Sequence, residues 1–443
     1  MGVVELLLIL VFCVGLIILG SSVLKVHPFL VLVFTSIVAG FLLGLPLSAI
    51  VKTVTSGFGS ILGYIGLVIV LGGILGEVLG NSGAAERIAL YILQGAGKKN
   101  PRLAISFLGA FVGIPVFCDT GFIILSKLTK AISVQKGISS KALSISLAAG
   151  LYTTHTLIPP TPGPIAAAGN LGGSDYLGLI MLVGLCLAVP AILVSYLLSS
   201  RISFNEPESN ENTGSSPDGL PSITKSVLPI VLPIVLIASG TTLKLASAQF
   251  VGVEYLLLLG DPVIALLISL AIAFFLLRKS MLEDFGESVK SGVMSAGPVL
   301  IITGAGGAFG AVLKASSLAE NLEVIFKSYA LEGVGLLLIA FLLAALLKTS
   351  QGSSTSAIVI TSSLLSPFLT ASGIDTPMEI ALLVMAIGGG AMTFSHANDS
   401  YFWVVSQFGG LTVKEAYRSY SIITLAQGVT TLVLALLLSL IFV

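Results

Sequence analysis

Charged residues are scarce in this chain of 443 residues, because only 9% are Asp, Glu, Lys or Arg while 55% are hydrophobic. A soluble protein normally carries about a quarter charged residues. Basic and acidic residues balance at 21 each, and no basic block forms a patch for nucleic acid. The composition therefore predicts a bundle of helices whose partner is the lipid bilayer and not a nucleic acid.

Cysteine is nearly absent, and so are the sequence motifs of enzymes. The three cysteines, Cys13, Cys118 and Cys186, lie in apolar stretches without metal-type spacing, so we expect them to be reduced and structural. No metalloprotease, nucleophile-elbow or nucleotide-binding motif occurs. We therefore predict no enzymatic activity, no cofactor, no metal site and no ATP-driven pump.

Long continuous apolar runs are present instead, and they predict transmembrane helices. Strands of a membrane barrel would alternate apolar and polar residues, whereas a helix satisfies its own backbone in lipid. Two further runs, at about 101–135 and 333–371, are broken near the middle by Gly, Pro or polar residues, which indicates re-entrant hairpins. The predicted spans lie at about 3–20, 28–46, 60–80, 141–158, 176–200, 225–241, 261–277, 294–313, 378–395 and 420–443.

A polar, acidic stretch at 203–222 divides the chain. It is rich in Pro, Gly, Ser and Asn and too polar to pack, so it predicts a flexible cytoplasmic linker. The remaining residues then form a first transmembrane repeat at 1–202 and a second at 223–443.

The two halves also share short sequence matches. The segment from Gly72 to Leu79 resembles the segment from Gly306 to Leu313, and Thr154-His155 corresponds to Ser395-His396. Each half has five spans and one hairpin, and an odd number of spans orients the halves oppositely. We therefore predict an all-α polytopic membrane protein of two inverted-topology repeats. Each repeat would contain about five transmembrane helices, a re-entrant helical hairpin and a broken helix.

The distribution of basic residues predicts the orientation. With both termini outside, 16 of the 21 basic residues fall in cytoplasmic segments and four outside, and Lys348 falls within the second hairpin. Positive charge collects on the cytoplasmic side of membrane proteins. The first hairpin would then enter from the cytoplasm and the second from outside.

Four polar segments interrupt the apolar pattern at membrane depth. Gly and Pro free backbone groups, which lipid tolerates only where they line a protein cavity. The N-termini of half-helices attract anions, and hydroxyl groups bind a polyol, so such a site suits a small hydroxylated carboxylate. The candidate substrate-binding residues are Asp119, Thr120, Thr154, His155, Thr161, Ser353, Ser354, Thr355, His396, Asn398 and Asp399.

Ionisable residues inside a membrane are costly and are candidates for function. Asp119 is our first candidate for carrying a proton and Asp399 the second, with His155 and His396 as alternates. A polar knot that holds the unwound segments is the structural alternative for all four. Lys348 would either pair with a substrate carboxylate or extend to the membrane interface.

The four segments closely resemble those of a known family. GIPVFCDTGFIIL, THTLIPPTPGPIAAAGNLG, KTSQGSSTSAIVITS and GGGAMTFSHANDSYFWVVSQFGG are similar to motifs of the gluconate:H+ symporter (GntP) family, and the resemblance runs over nearly the whole chain. It implies a permease of the bacterial inner membrane for gluconate or related sugar acids, with D-serine as the substrate of one branch. The wider ion-transporter superfamily further implies inverted repeats, an elevator mechanism and a homodimer.

Secondary active transport of a sugar acid with protons is therefore our leading hypothesis. A Na+-coupled carboxylate carrier stays open, because Ser- and Thr-rich hairpins with free carbonyls also hold Na+. An ion channel is disfavoured, since it would favour a continuous pore over two opposed hairpins.

Overall fold

The computed structural model describes residues 3–94, 100–202, 204, 220–247, 251–276, 282–316, 333–369 and 372–442. Within these ranges every regular element is a helix. Nearly all of the predicted linker at 203–222 lies outside the described residues, so the three-part division of the chain stays a prediction.

The described residues of the first half contain nine α-helices. Proline opens three of them, at Pro28, Pro101 and Pro162, where the missing N–H has no helical partner to lose. The helices are α1 Val3–Ile18, α2 Pro28–Leu42, α3 Leu47–Asn81, α4 Ala84–Gln94, α5 Pro101–Gly113, α6 Cys118–Lys136, α7 Ser140–Leu157, α8 Pro162–Asn170 and α9 Leu177–Ser200.

The second half contains ten helices in its described part. A capping box of Thr376 and Glu379 starts one of them. The helices are α10 Ile223–Leu245, α11 Val253–Leu259, α12 Pro262–Leu276, α13 Leu282–Lys314, α14 Val334–Gln351, α15 Ser354–Leu365, α16 Pro377–Met392, α17 Ser400–Phe408, α18 Val413–Ala416 and α19 Ile422–Phe442.

Several helices differ in length from the predicted spans. Among the described residues, five helices are long and apolar enough to cross a membrane, or up to seven if each of two bent pairs is one span. Other predicted spans are shorter helices, such as α2 and α16. The predicted spans at 60–80 and 294–313 lie within longer helices. Helix α3 begins at Leu47 and bends by 48° between Gly63 and Ile65, and α13 begins at Leu282.

The two longest helices, α3 and α13, pack along each other in opposite directions. A Cβ atom added at Gly57 would lie 2.7 Å from the carbonyl oxygen of Gly307, and one at Gly73 would lie 3.0 Å from that of Gly292. Small residues allow membrane helices to approach this closely. This packing explains why both helices continue beyond the predicted spans, through a segment of α3 with several Gly and Ser residues (47–59) and a charged segment of α13 (282–293).

Two helix–break–helix pairs follow the sequence prediction of hairpins. In the first pair, hairpin 1, residues 114–117 separate α5 from α6. In the second pair, hairpin 2, Gly352 and Ser353 separate α14 from α15. Gly352 has a φ of +84°, a left-handed conformation that glycine adopts without strain.

Two further helices are broken, as the sequence predicts. In broken helix 1, residues 158–161 separate α7 from α8, and the bond between Pro159 and Pro160 is cis. In broken helix 2, residues 393–399 separate α16 from α17. Helices α7 and α16 are buried along almost their whole length and form the centre of the molecule. The breaks therefore lie where neighbouring helices shelter the freed backbone groups.

Two ion pairs join segments at the ends of helices, and in each pair the predicted order of spans places both segments on the same side of the membrane. Lys141 pairs with Glu415 at 2.7 Å, and both lie on segments predicted to be cytoplasmic. Lys244 pairs with Asp175 at 3.1 Å on segments predicted to be outside. Which face is cytoplasmic stays a prediction from the basic residues.

Candidate functional site

A buried ion pair joins hairpin 2 to broken helix 2. Lys348 Nζ lies 2.5 Å from Asp399 Oδ2, and the side chains are only 1% and 6% exposed. Lys348 Nζ also donates to the Gly352 carbonyl at 2.6 Å and lies 5.8 Å from the centre of the Tyr152 ring. Buried charges persist when they are paired and hydrogen-bonded. Lys348 therefore neither extends to the interface nor stays free for a substrate, the two roles that the sequence suggested.

Asp399 also organises the break in which it lies. Its Oδ1 accepts a hydrogen bond from the Tyr401 amide at 3.1 Å and so caps the first turn of α17. The Ser395 hydroxyl donates to its other oxygen. Both carboxylate oxygens are therefore engaged by protein groups.

Asp119 has a different environment, although it lies close by. It occupies the first turn of α6, directly after the tip of hairpin 1, and interacts electrostatically with Asp399 and Lys348. The Cys118 thiol lies 3.9 Å from Asp119 Oδ2. Asp119 Oδ1 is buried and has no hydrogen-bond partner among the described residues. Of the two predicted carboxylates, Asp119 is thus the one without a cation of its own.

His155 lies in the last turn of α7, two residues before that helix ends. Its ring centre lies 6.0 Å from that of Phe117 at the tip of hairpin 1, and it interacts electrostatically with Asp399 and Lys348. Its Nδ1 atom is buried without a hydrogen-bond partner in the described part of the chain. The structure therefore gathers Asp119, His155 and Asp399 around Lys348.

Three predicted threonines serve local structure or face elsewhere. The Thr154 hydroxyl donates to the Gly150 and Leu151 carbonyls of its own helix at 3.4 and 3.3 Å. The Thr161 hydroxyl donates to the Ile158 carbonyl at 2.5 Å within the break. Thr120 lies beside Gly80 of α3.

The tip of hairpin 2 is held by the polar residues of broken helix 2. Asn398 Nδ2 donates to the Thr349 and Ser350 carbonyls at 2.9 and 2.8 Å. His396 Nε2 lies 3.1 Å from the same Thr349 oxygen. These contacts satisfy carbonyl groups at the C-terminus of α14 that have no helical partner. His396 and Asn398 therefore position the hairpin in this structure.

Ser353, Ser354 and Thr355 begin the second arm of hairpin 2. The Ser353 hydroxyl caps α15 by accepting from the Ser356 amide at 3.2 Å. Ser354 interacts with the hydroxyl of Tyr152, which brings it towards the ion pair. Ser353 and Thr355 line a cavity on the other side of the tip.

Sequence reasoning missed a cluster of three buried tyrosines beside the ion pair. The ring centres of Tyr152, Tyr401 and Tyr420 lie between 5.3 and 6.4 Å apart. The Tyr401 hydroxyl donates to the Ala148 carbonyl at 3.3 Å. Isolated tyrosines in apolar helices carry no spacing signal, so the sequence offered no means of finding them.

The charges of the site do not cancel when Asp119 is ionised. Lys348 and Asp399 neutralise each other, and Asp119 adds a negative charge in a buried setting. Glu77 stands apart, where it accepts a hydrogen bond from Ser295 at 3.4 Å between α3 and α13. In the described part of the chain, no three His, Cys, Asp or Glu residues are placed to hold a metal ion. An ionised Asp119 therefore gives this group of charges a net negative charge.

Comparisons with known proteins complete the description. The sequence profile described as GntP family permease matches residues 5–441. The inner membrane permease YgbN of Escherichia coli (strain K12) is 33% identical over 428 residues, which cover 92% of each chain. The gluconate permease of Bacillus licheniformis is 31% identical, with 94% of this chain and 95% of the relative covered. The D-serine transporter DsdX of Escherichia coli (strain K12) is 32% identical, with 97% of both chains covered.

One solved structure shows the same fold. The crystal structure of the Alcanivorax borkumensis YdaH transporter, a protein with an unusual topology, matches with a TM-score of 0.68. The match covers 93% of this chain and 98% of that chain at 15% sequence identity.

Proposed function

The chain belongs to the GntP family of permeases and is a multi-pass membrane transporter, and on that premise we propose that it imports gluconate or a related small sugar acid by proton symport. The substrate would bind at the tip of hairpin 2. There the N-terminus of α15 offers free amide groups to an anion, and hydroxyl side chains offer partners to a polyol. D-serine is the second candidate, because the similarity to a D-serine transporter is equally extensive.

The unpaired Oδ1 of Asp119 carries the proposal of proton coupling. Asp399 already has Lys348 as its counter-ion, so Asp119 is the group whose charge changes at least cost. A nearby anionic substrate disfavours a second negative charge. Substrate and proton would therefore load together, which is symport by linkage. Asp399, His155 and His396 are the alternates, in that order.

We also propose that the two halves are inverted repeats that move as an elevator. Each half places a long helix, a hairpin, a broken helix and a final long helix in the same order. Both termini would lie outside, with the linker in the cytoplasm. A cysteine introduced at position 212 should react only with a membrane-permeant reagent, and labelling by an impermeant reagent on intact cells would overturn this orientation.

Uptake into vesicles tests the function directly. Purified protein in liposomes is given an inward proton gradient or an inward Na+ gradient, and labelled gluconate and D-serine are offered separately. We expect gluconate to accumulate with the proton gradient and not with the Na+ gradient. If only the Na+ gradient drives accumulation, the coupling ion is Na+ and not the proton. Accumulation of neither substrate under either gradient would overturn the proposed function.

A further inference from the structure

A cavity of about 490 Å³ lies between the turn that joins α1 to α2 and the tip of hairpin 2. Ligand sites for small molecules usually measure about 300–1,000 Å³. Lys25 and His27 line one wall, Pro298 of α13 lies at another, and Gln351, Ser353 and Thr355 form the hairpin side. The cavity is therefore large enough for a small acid, and its lining combines positive charge with hydroxyl and amide groups.

The wall formed by the α1–α2 turn offers an unpaired positive charge. No carboxylate of the described residues lies within ion-pair distance of Lys25, and the side chain is exposed to the cavity. Beside it, His27 Nδ1 accepts a hydrogen bond from the Phe29 amide at 3.3 Å, which fixes the ring at the start of α2. A carboxylate that enters the cavity would meet this lysine without first breaking an ion pair.

The hairpin wall holds polar groups that lack partners. Gln351 Nε2 and Oε1 are both buried, and neither has a hydrogen-bond partner among the described residues. A buried amide without partners destabilises the protein until a ligand or a neighbour satisfies it. The N-terminus of the 12-residue helix α15 begins two residues later, at Ser353. Gln351 lines the cavity, but its amide atoms lie below the cavity surface, so the side chain must turn for them to reach a ligand beside the helix N-terminus.

We propose that this cavity is the carboxylate subsite of the transporter, with Lys25 and the N-terminus of α15 on the carboxylate. When its side chain turns into the cavity, Gln351 donates to and accepts from the hydroxyl or amino group next to that carboxylate. This inference rests on the proposed function, because it assigns the subsite of the proposed substrate. Lys25 then distinguishes carboxylates from neutral polyols, a task for which Lys348 is not free because it is paired with Asp399.

Substitution of Lys25 tests the subsite in counterflow, which needs no proton gradient. Lys25→Gln should raise the KM for labelled gluconate about 10- to 100-fold, the range for a lost hydrogen bond to a charged group, with little change in maximal rate. Lys25→Arg should restore most of the affinity. Lys52→Gln removes another exposed lysine and is the matched control, which should leave KM unchanged.

Competition by sorbitol, the neutral polyol that corresponds to gluconate, supplies a second measurement. In the wild-type protein sorbitol should compete poorly with gluconate, and in Lys25→Gln this preference should shrink. Gln351→Leu keeps the side-chain volume but removes both polar atoms, so it should raise KM without loss of folded protein on gel filtration. An unchanged KM in Lys25→Gln or in Gln351→Leu would overturn the subsite. If the wild-type protein moves neither gluconate nor D-serine, the proposed function itself fails.

Discussion

The two halves carry a histidine at corresponding positions, and the two rings have different surroundings. His155 is buried, its ring is tilted against that of Phe117, and its Nδ1 has no partner in the described part of the chain. His396 is partly exposed and reaches the Thr349 carbonyl of hairpin 2. Correspondence in sequence therefore does not imply an equal role, since the first ring interacts electrostatically with the Lys348–Asp399 pair and the second ring contacts a hairpin.

The two hairpins differ in charge in the same way. Hairpin 1 contributes Asp119, which has no counter-ion of its own, whereas hairpin 2 contributes Lys348, which is paired with Asp399. The Lys348–Asp399 pair is neutral as a whole, whereas Asp119 next to it has no counter-ion, so the two halves contribute different kinds of group to the site. We infer that the second half fixes the structure of the site and that the first half supplies the group whose charge changes.

The largest expected effect is the loss of Lys348. Lys348→Met leaves Asp399 as a buried charge without a cation, and breaking a buried pair in this way costs about 3–5 kcal/mol of stability. We expect a large fall in the melting temperature of the purified protein and loss of uptake. Lys348→Met combined with Asp399→Asn removes both charges and should recover much of the stability. Equal melting temperatures for Lys348→Met and the wild type would contradict the pairing.

Asp119→Asn should have the next largest effect, on coupling and not on stability. The amide keeps the shape of the carboxyl group but carries no titratable proton. We expect loss of accumulation driven by a proton gradient, while exchange of labelled for unlabelled gluconate continues. Asp175→Asn, at an exposed pair outside the site, is the control and should behave as wild type. Proton-driven accumulation by Asp119→Asn would move the proposed carrier to Asp399 or the histidines.

Much of the fold could be predicted from interruptions in the apolar pattern. The hairpins and broken helices were found because Gly, Pro and hydroxyl residues stop a lipid-facing helix, and their approximate positions agree with the structure. The starts of α3 and α13 were missed, because close Gly–Gly packing between the two helices stabilises sequence that is not apolar enough for lipid. That packing is a contact between distant segments, which hydropathy does not measure.

The site was also predicted only in part, because some of its contacts join segments that are distant in the sequence. Asp119, His155 and Asp399 stood out because ionisable residues are rare in apolar sequence. Lys348 stood out as well, but its pairing with Asp399 was missed, because the pair joins two segments that only the folded chain brings together. Lys25 and Gln351 were also missed as site residues, since a lysine at the end of a helix and a glutamine in a polar run look ordinary until the cavity between them is seen.

A smaller effect is expected at His396. His396→Ala removes a hydrogen bond to the Thr349 carbonyl, and a typical bond contributes about 0.5–1.5 kcal/mol. The hairpin should loosen, which would lower the melting temperature slightly, and His396→Gln should restore part of the loss through its amide.

His155→Gln should leave the dependence of uptake on pH unchanged. A shifted pH dependence in His155→Gln would instead make that ring a proton carrier.

The smallest effect is expected at Thr154. A comparison with Thr355 tests whether the hydroxyl groups of the two halves have different roles. The Thr154 hydroxyl already donates to carbonyls of its own helix, and bonds of 3.3 and 3.4 Å are long. Thr154→Val should therefore change the KM for gluconate by less than about twofold. Thr355→Val makes the same change in the cavity at hairpin 2 and should raise KM about 3- to 10-fold, as expected for one lost neutral hydrogen bond. Counterflow measurements on the two variants side by side check this difference. An equal rise in KM for both would mean that the substrate contacts the hydroxyls of both halves, and the proposed division between a structural and a ligand-binding hydroxyl would be wrong.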